Sequence, residues 1–227
     1  NCRLMPGTRN FIREPAIKRE TVLKAIETGI ELVRELKEDG YRILATGEMG
    51  IGNTTTSSAV LSVLLNVKPE QVTGRGAGLS DAGLQKKLSV IRQGISLWKP
   101  DRRDAVDVLS KVGGLDLAGL TGVFLGGAIY RIPVIIDGLI SGAAALIAAA
   151  LSPAAKDFML ASHLSAEPAG KMVLQALGLE PIIYGNLCLG EGTGAVAVFP
   201  LLDMAAAVYG QMSTFSQIKI KEYEHLS

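Results

Sequence analysis

The chain has 227 residues, with 23 Lys plus Arg against 22 Asp plus Glu and a formal net charge of +1. That balance excludes a broad basic face, so neither nucleic acid nor an anionic membrane is an expected partner. Two cysteines, Cys2 and Cys188, fit no disulfide or zinc framework; they are expected to be reduced, in the cytoplasm.

The sequence opens at Asn1 without a basic leader or signal-peptide pattern, and reads as the middle of a longer protein whose N-terminal part is absent. REPAIKRETVLKAIETGIELVRELKEDG (13–40) sets Val22, Ile26, Ile30 and Val33 at helical spacing, with Gly40 as C-cap. YRILATG is a short buried strand. NTTTSSAVLSVLL (53–65) is a helix entered through Asn53 or a following Thr. Residues 66–83 form a glycine-rich loop. A helix capped by Ser80 or Asp81 then runs to Pro100, and two more helices cover RRDAVDVLSKVG and Leu115 to Tyr130. From there strands and helices alternate. IPVIIDG, KDFMLASH and EPIIYGNL read as strands; LISGAAALIAAAL, EPAGKMVLQALGL and GTGAVAVFPLLDMAAAVYGQM read as helices, the last kinked at Pro200. Mean hydropathy is high, +0.31, but LISGAAALIAAAL has 13 residues, short of the about 20 that span a membrane. The alternation predicts an α/β fold: a mostly parallel sheet with helices on both faces. The tail from Ser213 is polar and expected at the surface.

Ligands of such sheets bind beyond the carboxyl ends of the strands. The segments that follow the strands are GEMGIGNTT, GLISG, HLSAEPAG and CLGEGTGA, all rich in glycine and polar residues. Glycine lets backbone N–H groups approach an oxyanion, and a helix start adds a favourable dipole. Neither a Walker A loop nor a dinucleotide fingerprint is present. Glu48 and Glu191 each follow the first glycine of such a loop. Each could be a simple cap. Two together suggest a general base, or a carboxylate that steadies a developing cation near a phosphorylated sugar. Lys87 reads from spacing as solvated surface, like Lys86, with a phosphate contact or a pair with Glu48 as the alternative. Asp137 ends a strand and is either functional or a turn cap. His163 and Ser165 suggest a hydrolase triad, but no G-x-S-x-G elbow accompanies them. His225 lies in the tail, so a two-His metal site is not expected. Trp98 is read as packing.

The segments TRNFIREPAIKRE, TGEMGIGNTTTSSA, GRGAGLSDAGLQKK, PVIIDGLISGAAAL, ASHLSAEPAG and LGEGTGA, in this order over nearly the whole chain, resemble the nicotinate-nucleotide:dimethylbenzimidazole phosphoribosyltransferase family. The resemblance implies a Rossmann-like α/β catalytic domain over residues 31–205. Residues 1–30 would be the N-terminal segment and linker helix of a truncated chain. Residues 206–227 would add a C-terminal helix and tail to a small helical domain. It implies transfer of phosphoribosyl from nicotinate mononucleotide to 5,6-dimethylbenzimidazole by a homodimer, with no cofactor and no metal. Glu191 would be the general base and Glu48 an auxiliary acid. Lys87 would move from the surface into the site. The expected substrate-binding residues are then Gly50, Asn53 and Thr54 in the first loop, and Arg75, Gly76 and Lys87 around the second. Asp137, Ser165, Gly190, Gly192 and Thr193 complete them. Two rivals stay open: a relative that uses another aromatic base, such as a purine or phenol, and a non-catalytic nucleotide-binding protein on the same fold.

Overall fold

The structure is a computed structural model that describes residues 1–221. His225 and the end of the polar tail lie outside them.

Helix α1, Arg19–Glu38, carries Val22, Ile26, Ile30 and Val33 as the periodicity predicts, and follows Lys18, whose backbone is extended. Gly40 (φ 92°) closes it: its N–H reaches the Lys37 carbonyl, while that of Tyr41 reaches the Leu36 carbonyl. The N-terminal segment is pinned from the other side. Ala16 and Ile17 are fully buried, Phe11 lies against Gly94, and the Trp98 indole donates to the Phe11 carbonyl at 2.6 Å. Trp98 is therefore a fastening as well as packing.

Strand β1 is Leu44–Ala45. Helices α2 (Thr54–Leu65), α3 (Pro69–Val72), α4 (Asp81–Trp98), α5 (Ala105–Val112) and α6 (Leu115–Tyr130) follow. α3 lies inside the stretch read as loop; Pro69, in its first turn, suits a helix start. Ser80 caps α4 as expected, accepting from the Gly83 N–H at 3.2 Å. α6 packs along α1 at close range: a methyl on Gly122 would lie 2.0 Å from the Ile26 carbonyl oxygen. Strand β2 (Val134–Ile136), α7 (Leu139–Leu151), β3 (Met159–Ala161) and α8 (Gly170–Leu177) complete the α/β alternation.

The sheet is parallel, in the order β1-β2-β3, with Leu44 opposite Val134 and Ile135 opposite Leu160. Its two faces are unequally covered. Val134 and Ile136 enter the main core with residues of α1, α5, α6 and α7. Ile135 enters a small second cluster with Ala195 and Val198.

Two strand expectations need correction. Lys156 to Phe158 form the end of a 3-10 turn opened by Pro153, so β3 begins only at Met159. EPIIYGNL forms no ladder: Pro181 has no N–H to donate, and the segment is held beside the end of β3 by one parallel bridge, His163 with Ile183, and by backbone bonds such as Ile182 N–H to the Ala161 carbonyl at 3.0 Å. Pro200 does more than kink the last helix. It divides α9 (Thr193–Ala197) from α10 (Phe199–Gln211), where proline occupies the first turn. No residue of α10 is buried. The expected boundaries at residues 30 and 205 fall within α1 and α10, both unbroken there.

Candidate active site

The loops after β1, β2 and β3 and the loop before α9 meet around a cavity of about 450 Å³, a size suited to a small-molecule site. Glycine allows this convergence. A methyl on Gly47 would lie 2.7 Å from the Gly192 nitrogen, and one on Gly190 would lie 2.8 Å from Glu48 Oε1. The two Gly-Glu loops thus touch backbone to backbone, and both carboxylates line one mouth.

The two are held differently. Glu48 Oε2 accepts from the Gly50 N–H (2.5 Å) and from Asn53 Nδ2 (2.9 Å). Asn53 Nδ2 also donates to Asp116 at 2.9 Å. Turning that amide over would set its oxygen against two carboxylates, so Asn53 Oδ1 stays sealed without a partner. Asn53 occupies the N-cap position of α2, but its side chain is spent on Glu48 instead of the helix. Glu191 is exposed, sits in the left-handed region (φ 59°) and bonds to no described residue. Its carboxylate is free to meet a ligand.

Asp137 explains how Glu191 is held. It is 2 % exposed and does not line the cavity. Its Oδ2 accepts from the Gly192 N–H at 3.1 Å and its Oδ1 from the Ala195 N–H at 3.0 Å. This is the turn-capping alternative, with both carboxylate oxygens turned to backbone N–H groups. Asp137 thereby takes two of the N–H groups of this loop and of the start of α9, those of Gly192 and Ala195. Thr193 turns its hydroxyl to the Gly190 carbonyl at 2.7 Å, and Gly192 is buried; neither lines the cavity. Gly190 does.

The lining of the same cavity also holds a lysine. Lys87 is 6 % exposed, against its surface reading from spacing, while Lys86 is exposed. Lys87 Nζ donates to Thr54 Oγ1 (2.9 Å) and to the Gly74 carbonyl (3.0 Å); an ammonium has a third proton for a ligand. Burial pushes its pKa down, and the nearby Glu167 carboxylate opposes that. Thr54, Gly50, Gly76 and Ser165 line the same cavity. Arg75 does not: its guanidinium pairs with Asp81 and donates to the Leu79 carbonyl.

Three cavity groups carried no role in the sequence reading. Gly138 and Leu139 begin α7, a 13-residue helix with no side-chain cap, so its free N–H groups open on the cavity. The segment GLISG after β2 was their signal. His163 lines the cavity beneath Gly194 and is 4 % exposed; burial pushes its pKa down, with Asp137 opposing. Met49, Ile51 and Leu189, each about 70 to 80 % exposed, form an apolar rim.

A parallel α/β sheet with a glycine-rich cavity at the carboxyl ends of its strands, lined by Glu48, Glu191 and Lys87, has the arrangement of a small-molecule binding site. A family described as Phosphoribosyltransferase (DBI_PRT) matches residues 1–220, and the chain belongs to it. The chain is 51 % identical over 218 residues to the nicotinate-nucleotide–dimethylbenzimidazole phosphoribosyltransferase of Acetivibrio thermocellus, covering 96 % of itself and 62 % of that protein. It is 49 % identical to the enzyme of the same name from Ruminiclostridium cellulolyticum, covering 100 % of itself and 64 % of the relative. Among solved structures it is similar to CobT from Thermus thermophilus, with TM-score 0.89, 38 % identity, and coverage of 96 % and 65 % of the two chains. The chain thus spans less than two thirds of the length of these relatives.

Proposed function

We propose that the protein transfers the 5-phosphoribosyl group of nicotinate mononucleotide to 5,6-dimethylbenzimidazole, giving α-ribazole 5′-phosphate and nicotinate. The observation that carries this reading is the convergence on one cavity of Lys87, the start of α7 without a side-chain cap, and the carboxylates Glu48 and Glu191. The phosphate would sit between Lys87, Gly138 and Ser165. The anomeric carbon would then face the glutamates.

Nicotinate on ribose is a pyridinium. When its C–N bond breaks, the electron pair returns to the ring nitrogen and no acid is needed. One benzimidazole nitrogen attacks the opposite face, inverting β to α. Positive charge on the incoming ring acidifies its other N–H, and Glu191, unpartnered at the mouth, takes that proton. Glu48 is tied to Gly50 and Asn53 and supplies a fixed negative charge, which favours the cationic transition state. Met49, Ile51 and Leu189 offer a flat ring an apolar edge. That rim carries no groups that read ring substituents, which favours, as a second reading, acceptance of purines or phenols. The homodimer and the cytoplasmic setting belong to the same proposal; both cysteines are free. Glu191→Gln should lower kcat by about 10², with nicotinate mononucleotide binding retained. Steady-state assays with dimethylbenzimidazole, adenine and phenol as acceptors measure this, and a near-unchanged rate for all three would reject the assigned role.

A further inference from the structure

His163 is not needed for the proton transfer above, yet its environment fixes its chemistry. Ser162 Oγ lies 2.9 Å from the Asp137 carbonyl oxygen and 2.9 Å from His163 Nδ1. A carbonyl can only accept, so the single hydroxyl proton of Ser162 goes to Asp137. The Ser162 oxygen must then accept from His163, which places the ring proton on Nδ1 and leaves Nε2 as a bare lone pair. The ring cannot turn over without setting a C–H against Ser162. Its Nδ1–Cε1 edge is also held close to Gly194, where a methyl would meet Nδ1 at 2.1 Å and Cε1 at 2.3 Å. Among the described residues Nε2 has no hydrogen-bond partner, and it is not a sealed atom. A methyl on Gly138 would lie 4.0 Å from it, and His163 lines the cavity that Lys87, Ser165 and Glu191 also line. Burial favours the neutral ring.

An acceptor at that place needs a donor from the ligand. At neutral pH a pyridine nucleotide bearing a carboxylate has few: its ring nitrogen has no N–H, and its carboxylate and largely dianionic phosphate only accept. The ribose hydroxyls remain. We infer that His163 Nε2 accepts a hydrogen bond from a ribose hydroxyl of the bound nucleotide, which makes His163 the residue that selects ribosyl over deoxyribosyl donors. This rests on the proposed phosphoribosyl reading of the cavity.

Calorimetric titration at about pH 7.5 tests it, with nicotinate mononucleotide and its 2′-deoxy and 3′-deoxy analogues as ligands. On the unmodified protein at least one analogue should bind about 10-fold or more weakly than the parent, the cost of leaving one cavity acceptor unmet. In His163→Phe the same loss should shrink to less than about 3-fold. If both analogues match the parent on the unmodified protein, the inference falls while the phosphoribosyl reading stands. That comparison needs no variant, so it holds even if His163→Phe fails to fold. An undiminished analogue penalty in a folded His163→Phe also overturns the inference. If nicotinate mononucleotide does not bind at all, the reading of the cavity and the inference fall together.

Discussion

Lys87 shows how much a single side chain gives up for a site. Its ammonium is buried with two neutral acceptors, Thr54 Oγ1 and the Gly74 carbonyl, and with Glu167 as the opposing charge that raises its pKa. Neutral acceptors do not replace the hydration of a cation, so the empty site carries a desolvation cost that a phosphate would relieve. Lys87→Met should therefore leave the ligand-free protein as stable as before or more so, and should abolish the rise in Tm that millimolar nicotinate mononucleotide gives the unmodified protein. The pH dependence has a definite sign. Burial lowers the folded-state pKa below the unfolded lysine value, so the cost is full below the folded pKa and is relieved as pH rises through it. Any stability advantage of Lys87→Met should narrow with increasing alkalinity, read from urea midpoints across that range. A variant that is strongly destabilised at neutral pH would show that Lys87 serves the fold instead.

At the scale of elements, the loop from Gly190 and the short helix α9 behave as one unit hung on the end of β2. Asp137 grips it through two backbone N–H groups, and its own N–H meets Ser141 Oγ at 3.2 Å. The unit carries Glu191 in a left-handed conformation that a non-glycine residue adopts only when its surroundings impose it. Asp137→Asn would turn an amide N–H₂ towards one of these donors. The expected cost is about 2–4 kcal/mol of stability from weakened charge-assisted bonds, read as a urea midpoint shift. The functional loss should fall on kcat more than on KM, because Glu191 loses its aim while Lys87 and α7 keep theirs. An equal loss in both would mean that the whole cavity had collapsed. Helices α1 and α4 were legible by different signals: Val22, Ile26 and Val33 form a buried stripe of α1, and Ser80 caps α4. The strands were legible only as places. Apolar runs mark where chain is buried on both faces, but pairing length depends on where neighbours diverge, and among the described residues three strands of two or three residues pair. Within the site, the paired glycines announced Glu48 and Glu191. Burial of Lys87 came from the resemblance, since a helical lysine next to another reads as solvated. The role of Asp137 was undecidable in sequence, because a strand-ending carboxylate looks the same whether it faces a ligand or a backbone.

At the scale of the whole molecule, cover is uneven, and the unevenness points to an assembly. One sheet face meets the main core with α1, α6 and α7; among the described residues the other meets a small cluster of Ala195, Val198, Phe199, Leu202 and Ile183. α10 then leaves the body with Leu201, Met204 and Val208 on one stripe, continued by Met212, between 38 and 69 % exposed. Thr193–Gln211 is long and apolar enough by composition to cross a membrane. The physical case for lipid is poor, however. Gly194 and Ala195 pack inside the protein, Pro200 separates α9 from α10, Asp203 stands in the middle of the exposed helix, and 13 residues rise only about 20 Å against about 30 Å of hydrocarbon. Protein is the better cover, and a self-complementary helix stripe suits the two-fold axis of the proposed homodimer. Val208→Asp puts a charge at the centre of that stripe, in a helix where no residue is buried and nothing internal depends on it. Sedimentation should then change from twice the chain mass to once, with the folded spectrum of the protomer unchanged. An unmodified protein that sediments as a monomer and stays clear of added phospholipid vesicles would reject the dimer, and one that floats with the vesicles would restore lipid as the cover.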